Sequence, residues 1–468
     1  MTVILTMAVC AACKQSLPGG KAILIPEELS GYDWNDPESE YSYDRMACTD
    51  DIAVFWQKGF GKDLSAAPDL EGNPMTVDLD RILRKTQSFY DFFKDSLKFI
   101  KEGSKADTFR MMVMLNYSLE GTAYGGDYDS KIGALWVTPN RLQDEKLNCI
   151  AHELGHSFQA QLVIDNGSRT GEGAIYEMTS QWMLWQVNPD WMTDENYHWK
   201  DFMQQTHLAF MHFANIYHSP YVLEYWSEKH GLEFMGNLWR EFRPDEDVVA
   251  TYKRITGIGQ EEFNDEMFDA ARRFMTYDLP RVKEYAKPYA NRHTTVMDAK
   301  AGGWYAINRE KIPQNYGYNG IELAVPQPGT TVTVDFEGLV GDVPDIHRGN
   351  AGWKYGFVGV PENGDPIYGE AASDVKGRIA FTAPEEPLSH LWLVVLGAPK
   401  EHEVKVFRRP RPDEHVEDSE LSHEEIAPSA GGPEDQKPIR RRRVQRPEAQ
   451  YPFRIKVANS APICEINR

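Results

Sequence analysis

Cysteine is scarce: five residues in 468 are too few for a disulfide scaffold, and they show no metal-binding spacing. Basic residues are in deficit, 50 Lys and Arg against 71 Asp and Glu, which leaves a net charge of −21. Without a positive footprint the chain is a poor partner for nucleic acid or for an anionic membrane surface. Beyond the first dozen residues no apolar run approaches the roughly 18 residues that cross a bilayer. Aromatic residues are not lacking, and at 12% they argue against wholesale disorder. At roughly 150 residues per domain, the length suggests two or three domains. Thirteen histidines remain, and their placement carries the functional reading.

Residues 2–12 (TVILTMAVCAA) form a short, uncharged, apolar stretch suited to the h-region of an export signal. Ala11 and Ala12 precede Cys13, and Lys14-Gln15-Ser16 follows. This resembles a bacterial lipoprotein signal with Cys13 as the lipidated first residue of the mature chain. No Lys or Arg precedes position 14, and Cys10 stands where such signals usually carry Leu. Cleavage after Ala12 without lipidation, and a buried N-terminal strand, therefore stay open. The expectation is an exported chain, either an outer-membrane or cell-surface lipoprotein or a secreted protein, whose membrane contact is limited to an anchor at Cys13. Cys48, Cys149 and Cys464 then remain, mostly structural, with a Cys48–Cys464 bridge left open.

Residues 14–50 are rich in Pro, Gly, Ser, Asp and Glu and read as a tether. From 51 to 295 the pattern is mainly helical, with apolar residues recurring at three and four over 78–100, 142–163, 174–185, 201–217 and 261–274. Strand signals at 109–118 and 132–138 flank a turn-rich GTAYGGDYDS. Over 300–460 short strand-like runs at 320–325, 330–336, 354–360, 377–382 and 391–397 suggest an all-β sandwich of jelly-roll type, with a last strand at 451–457. Acidic runs, prolines and the basic block Arg440–Arg443 mark 408–450 as a disordered insertion within it. The fold class is α+β.

The strongest chemical signal is His152-Glu153-Leu154-Gly155-His156. On a helix, positions i and i+4 share a face, so both imidazoles can present to one metal ion, with Glu153 beside them to reach a water. Leu142, Leu147, Ile150, Leu154 and Phe158 supply an apolar stripe for that helix. A catalytic zinc needs a third protein ligand. GEGAIYEMTSQW at 171–182 offers Glu172 and Glu177, the latter 21 residues after His156 and the favoured of the two.

An HExxH helix followed some twenty residues later by a Gly-Ala-x-x-Glu helix resembles the gluzincin branch of zinc metallopeptidases, of which thermolysin is the familiar member. The resemblance implies a zincin-like domain over 51–295, with His152, His156 and Glu177 as Zn2+ ligands and Glu153 as catalytic base. Gln181 falls where thermolysin-like enzymes place an Asp that orients a ligand histidine; a Gln carbonyl can also accept an N–H. More loosely, the HELGHSFQ helix, the Trp-rich second helix and the C-terminal sandwich resemble a family of secreted bacterial proteins without a settled substrate.

The implied reaction is peptide-bond hydrolysis by a zinc-activated water with Glu153 as general base. Its partner would be a peptide or protein, glycoproteins included, and the strand Ile132–Val137 would serve as the edge along which an extended peptide adds. Tyr197, His198, His207, His212, His218 and His230 are the candidates for the oxyanion donor. Asp127 and Asp129 read as turn residues before calcium ligands, and Trp182, Trp185, Trp191 and Trp199 as core before a sugar platform. Two other readings compete: a non-catalytic adhesion or glycan-binding module on a zincin fold, and a metal-dependent hydrolase of a non-peptide bond. A purely structural metal site has no need of Glu153.

Overall fold

Two stretches of the sequence are apolar without alternation, IAVFW and LWLVVLG, and each lies in a strand where it is buried on both faces. The computed structural model describes residues 20–170, 173–341, 349–405, 421–426, 439–444 and 448–467. No helix among them is long and apolar enough to cross a membrane. The signal-like segment 1–13 lies outside the described residues.

The first sheet holds β1 (Met46–Cys48), β2 (Ile52–Trp56), β3 (Met111–Leu115), β4 (Ala123–Tyr128) and β5 (Ile132–Val137), in the order β1-β2-β3-β5-β4. β2, β3 and β5 run parallel; β1 and β4 join antiparallel at the two edges. Against it pack α1 (Leu79–Asp95), whose Asp78 cap accepts the Arg81 N–H at 2.9 Å, and α2 (Asn148–Asn166). Phe158 of α2 meets the rings of Tyr90 and Phe93 of α1 edge-on. Next come α3 (Ala174–Val187), α4 (Trp191–Asp194), α5 (Asn196–Gln205), α6 (Tyr221–His230), α7 (Phe234–Arg240), α8 (Val248–Thr256), α9 (Gln260–Phe274) and α10 (Lys283–Ala286).

The four tryptophans at 182, 185, 191 and 199 are all core residues, and each indole N–H finds an acceptor: Glu224, the Pro189 carbonyl, Glu195 and Tyr277. Glu224 itself is buried. Besides the Trp182 indole, Arg281 grips it with two hydrogen bonds of 2.7 and 2.8 Å, and Gln186 adds a fourth of 2.6 Å.

The C-terminal β unit begins with β6 (Val296–Lys300), β7 (Trp304–Ile307), β8 (Tyr318–Leu323), β9 (Thr331–Gly338), β10 (Trp353–Pro361), β11 (Ile367–Ala372), β12 (Lys376–Thr382) and β13 (Leu388–Gly397). It continues with β14 (Leu421–Ile426), β15 (Ile439–Val444), β16 (Phe453–Ala458) and β17 (Glu465–Asn467). Two sheets, β11-β10-β13-β8 and β12-β9-β16-β7-β6-β17, face each other across one core, a sandwich in which Phe336 stacks on Tyr355. Alternate residues of the four-stranded sheet point to different cores. Tyr355, Phe357, Leu391, Leu393 and Val395 enter the sandwich, while Val358, Val360, Trp392, Val394 and Leu396 enter the helical core beneath α9.

Several expectations need correction. Residues 20–50 are no tether: Leu29, Trp34 and Tyr41 are buried, and Ala22 bridges Phe109 of the first domain, so a few large aromatics outweigh the polar composition. The helix expected over 201–217 ends at Gln205, because Thr206 and His207 give their carbonyls to Tyr318 and Gln314 of the sandwich instead. Within 408–450, read as disordered, the described residues are 421–426, 439–444 and 448–450, and there β14 and β15 pair antiparallel. The sandwich starts at 296 and runs to 467, a little beyond the 300–460 expected. No disulfide forms among the described cysteines; Cys48 lies on the first sheet and Cys464 beside the sandwich.

The Glu224–Arg281 pair gives a test of the helical core. Arg281→Met should cost about 3 to 5 kcal/mol, because it strands a buried carboxylate, whereas the double variant with Glu224→Gln should cost less. Urea unfolding of both variants reads the difference; equal costs would show the pair to be solvated.

Candidate functional site

α2 is shaped to lie between a sheet and a second helix. Leu147 turns left-handed (φ 56°), Asp144 accepts the Asn148 N–H at 3.1 Å, and Gly167 ends the helix at φ 72° with its N–H on the Val163 carbonyl. Ile150, Leu154, Phe158 and Leu162 fill the buried stripe. Glycines set the two closest approaches. A Cβ on Gly155 would lie 2.9 Å from Ser180 Oγ of α3, and one on Gly125 of β4 would lie 2.0 Å from the Glu153 carbonyl oxygen.

This packing brings His152, His156 and Glu177 together. The two Nε2 atoms are 3.2 Å apart, and Glu177 Oε2 lies 3.2 Å from His152 Nε2 and 3.0 Å from His156 Nε2. Ligand atoms around a tetrahedral zinc with bonds near 2.0–2.1 Å are separated by about 3.3 Å, so the donor set and its spacing fit a zinc ion. Of the competing carboxylates, Glu172 lies outside the described residues.

The histidines are held from behind by glutamines. Gln181 Oε1 lies 2.8 Å from His152 Nδ1, and Gln159 Oε1 3.1 Å from His156 Nδ1. Each amide is fixed in turn: Gln181 Nε2 donates to the Tyr217 carbonyl at 2.9 Å, and Gln159 Nε2 to the Tyr176 carbonyl at 2.9 Å and Ser180 Oγ at 3.0 Å. A backbone carbonyl only accepts, so each Gln oxygen must face its histidine. Both Nδ1 atoms then carry a proton, and both Nε2 atoms face Glu177.

Electrostatics favour a cation there. Burial alone would raise Glu177, but the charge of His156 and hydrogen bonds from both imidazoles hold it well below the usual carboxylate range. Burial would likewise lower His156, yet the charge and hydrogen bond of Glu177 lift it to about 9. Glu153, 8% exposed, is pushed up by burial, against the two imidazoles and a hydrogen bond from the Gly125 backbone.

Of the oxyanion candidates, His198 and His218 stand behind Gln181, with His198 Nε2 3.3 Å from Gln181 Nε2 and the two Nδ1 atoms 2.7 Å apart. Burial, and then the charges of His218 and His152, lower His198 to about 3. Exposed Tyr197 packs its ring on His198. The others are engaged elsewhere. His207 gives its carbonyl to Gln314, His212 Nδ1 caps the turn at Ala214, and His230 bonds Tyr252 at 2.7 Å. Asp127 and Asp129 build the β4–β5 turn, accepting from Ser130 and Glu27. Three contributors escaped the sequence reading. Gln159 sits one helical turn past His156, a spacing that signals its reach. Tyr217, next to the candidate His218, has its ring 6.1 Å from that of His152, and burial, then the charge of Glu177, raises its hydroxyl. Gly125 belongs to the stretch read as turns.

The edge strand also differs from expectation. Ile132–Val137 lies inside the sheet, between β3 and β4, and the free edge is Ala123–Tyr128. Thr138 N–H bonds the Thr122 carbonyl at 3.0 Å, so antiparallel alternation turns the backbone groups of Ala123, Gly125 and Asp127 away from β5.

Fold and cluster define an α+β protein in which a helical layer on a mixed sheet carries a half-buried His–His–Glu triad and a β-sandwich follows. The chain belongs to the family of unknown function DUF6055, whose pattern it matches over residues 15–417. No curated protein matches its sequence. Among solved structures it is similar to the M60 catalytic domain with the CBM51-1 and CBM51-2 domains of Clostridium perfringens ZmpB, at 10% identity and a TM-score of 0.29, over 81% of this chain. The chain spans 62% of that one, and at this score the likeness decides neither fold nor activity.

Gly125→Ala tests the contact between β4 and α2. The added methyl meets backbone, so a loss on the order of 1 to 3 kcal/mol is expected in chemical denaturation; a neutral outcome would mean that the strand does not pack as described.

Proposed function

We propose that the protein is an exported zinc metallopeptidase of gluzincin type, cleaving peptide bonds in a peptide or protein substrate. The observation that carries this is the convergence of His152 Nε2, His156 Nε2 and Glu177 Oε2, with buried Glu153 on the same helical turn. When bound, zinc supplies Lewis acidity, which lowers the pKa of water from about 15.7 toward 7 and polarises an amide carbonyl.

The chain's own groups have separate tasks. Glu153 takes a proton from the attacking water and passes it to the leaving amine. Its raised affinity for a proton, caused by burial, suits a base that must also return it. Gly125 lies against the backbone of Glu153, while Ala123 and Asp127 offer outward N–H and C=O groups to an extended peptide. Tyr217, whose ring lies 6.1 Å from that of His152, is the oxyanion donor on this reading.

Elemental analysis of the intact protein should find close to one zinc per chain, lost in His152→Ala. Glu153→Gln should keep zinc while cleavage of a peptide library falls on the order of 10² to 10⁴-fold. Zinc retained with no cleavage by the parent protein would favour a binding module, and cleavage undiminished in Glu153→Gln would remove the base.

Export rests on the apolar residues 2–12 and the small residues before Cys13. If Cys13 bears the lipid, Cys13→Ser shifts the protein from the membrane to the soluble fraction; a variant that stays in the membrane fraction counts against the anchor.

A further inference from the structure

We infer that His198 and His218 act with Gln181 as a positioning relay that fixes the orientation of His152, and so govern the metal affinity of a site they do not touch. This rests on the metal site proposed above.

The chain of constraint starts at one backbone carbonyl. Tyr217 O can only accept, so the amide nitrogen of Gln181, 2.9 Å away, must face it. That nitrogen carries a second hydrogen, and His198 Nε2 lies 3.3 Å off to receive it. His198 Nε2 is therefore the unprotonated nitrogen, and its proton sits on Nδ1, 2.7 Å from His218 Nδ1. His218 Nδ1 must then accept, which leaves its Nε2–H directed toward Asp201 Oδ2 at 3.9 Å, too long for a hydrogen bond but of the right sign. Glu195 Oε2 stands 3.6 Å from His198 Nε2, also beyond hydrogen-bond reach, and its carboxylate is committed to the Trp191 indole at 2.7 Å. The Trp191 ring stacks on His198, and Tyr197 packs on it as well, which keeps the imidazole from turning.

Chemistry explains why the site needs this support. A carboxylate behind His152 would accept with either oxygen. A glutamine has one accepting end and one donating end, and the torsion that exchanges them is soft. Turned round, Gln181 would aim N–H at His152 Nδ1 and force that ring to protonate Nε2, the atom that faces Glu177. Two acceptors, the Tyr217 carbonyl and the neutral His198, select the productive orientation together.

The test is zinc affinity of the intact protein, measured by competition with a chromophoric chelator. Outer partners of ligating histidines typically matter by 10 to 100-fold, so His198→Leu should weaken zinc binding about tenfold. His198→Gln keeps an acceptor near the Nε2 position and should stay within about threefold of the parent. His218→Leu removes the group that orients His198, and about a threefold loss is expected; it also serves where the buried His198→Leu fails to fold. Selective 15N labelling of histidine should show His198 neutral with its proton on Nδ1, the minor tautomer in water. Undiminished affinity in His198→Leu and His218→Leu, a Gln variant no better than Leu, or a proton on His198 Nε2 would each overturn the relay. If the parent and His152→Ala bind zinc equally or not at all, the metal site itself falls and the relay with it. If only His152→Ala loses zinc, the relay alone is wrong.

Discussion

Two backbone carbonyls, those of Tyr176 and Tyr217, decide how the half-buried cluster is arranged. Because they accept and cannot donate, they turn the amides of Gln159 and Gln181 so that each presents its oxygen to a histidine Nδ1. The two Nε2 atoms are thereby aimed at Glu177 rather than left to rotate freely. Had either amide been reversed, a proton would stand on the nitrogen that must be bare for the proposed metal. The cluster is therefore specified by the positions of two main-chain atoms on different segments, one on α3 and one on the loop that follows α5.

Each segment is placed by packing elsewhere. α3 approaches α2 through the missing side chain of Gly155, so Tyr176 and Glu177 arrive as a unit. The loop after Gln205 is held from the sandwich: Tyr318 N–H bonds the Thr206 carbonyl, Gln314 N–H the His207 carbonyl, and the Gln314 side chain the Ala209 N–H. Gly317 fits there because any side chain would strike the His207 carbonyl. The four-stranded sheet that bears this contact is buried on both faces and shares the helical core. The sandwich thus stands two links from the site, through a loop whose carbonyl at 217 orients Gln181. That is a structural task for the C-terminal domain that needs no ligand of its own.

Local inferences from the sequence reached far, and long-range ones did not. The i, i+4 spacing of His152 and His156 places both rings on one face by helix geometry alone, and the structure has their Nε2 atoms 3.2 Å apart. Period-two alternation and turn spacing located most sandwich strands within a few residues. The failures share one cause, tertiary contact overriding a local pattern. GTAYGGDYDS has the glycines of a turn, but they serve a strand that must come within contact of a helix backbone. The pattern over 201–217 is helical, yet hydrogen bonds from the sandwich unwind its second half. Trp34 and Tyr41, two residues in a polar stretch, suffice to fold it onto the core. Gln159 and Tyr217 carry no motif, because what they contribute is a partner seen only once two segments meet.

The same tertiary logic couples the base to the substrate on the proposed reading. Gly125 is where β4 meets α2, against the backbone carbonyl of Glu153 itself. Its neighbours on the outward register, Ala123 and Asp127, carry the groups that would bind an extended chain. A peptide added to this edge must therefore pass the carboxylate at a height set by the glycine contact, with no freedom to choose another. A larger residue at 125 would shift the strand, the carboxylate and the peptide together. Substrate placement and general-base placement are thus one constraint, and a strand-breaking residue in the middle of an edge strand is what that constraint requires.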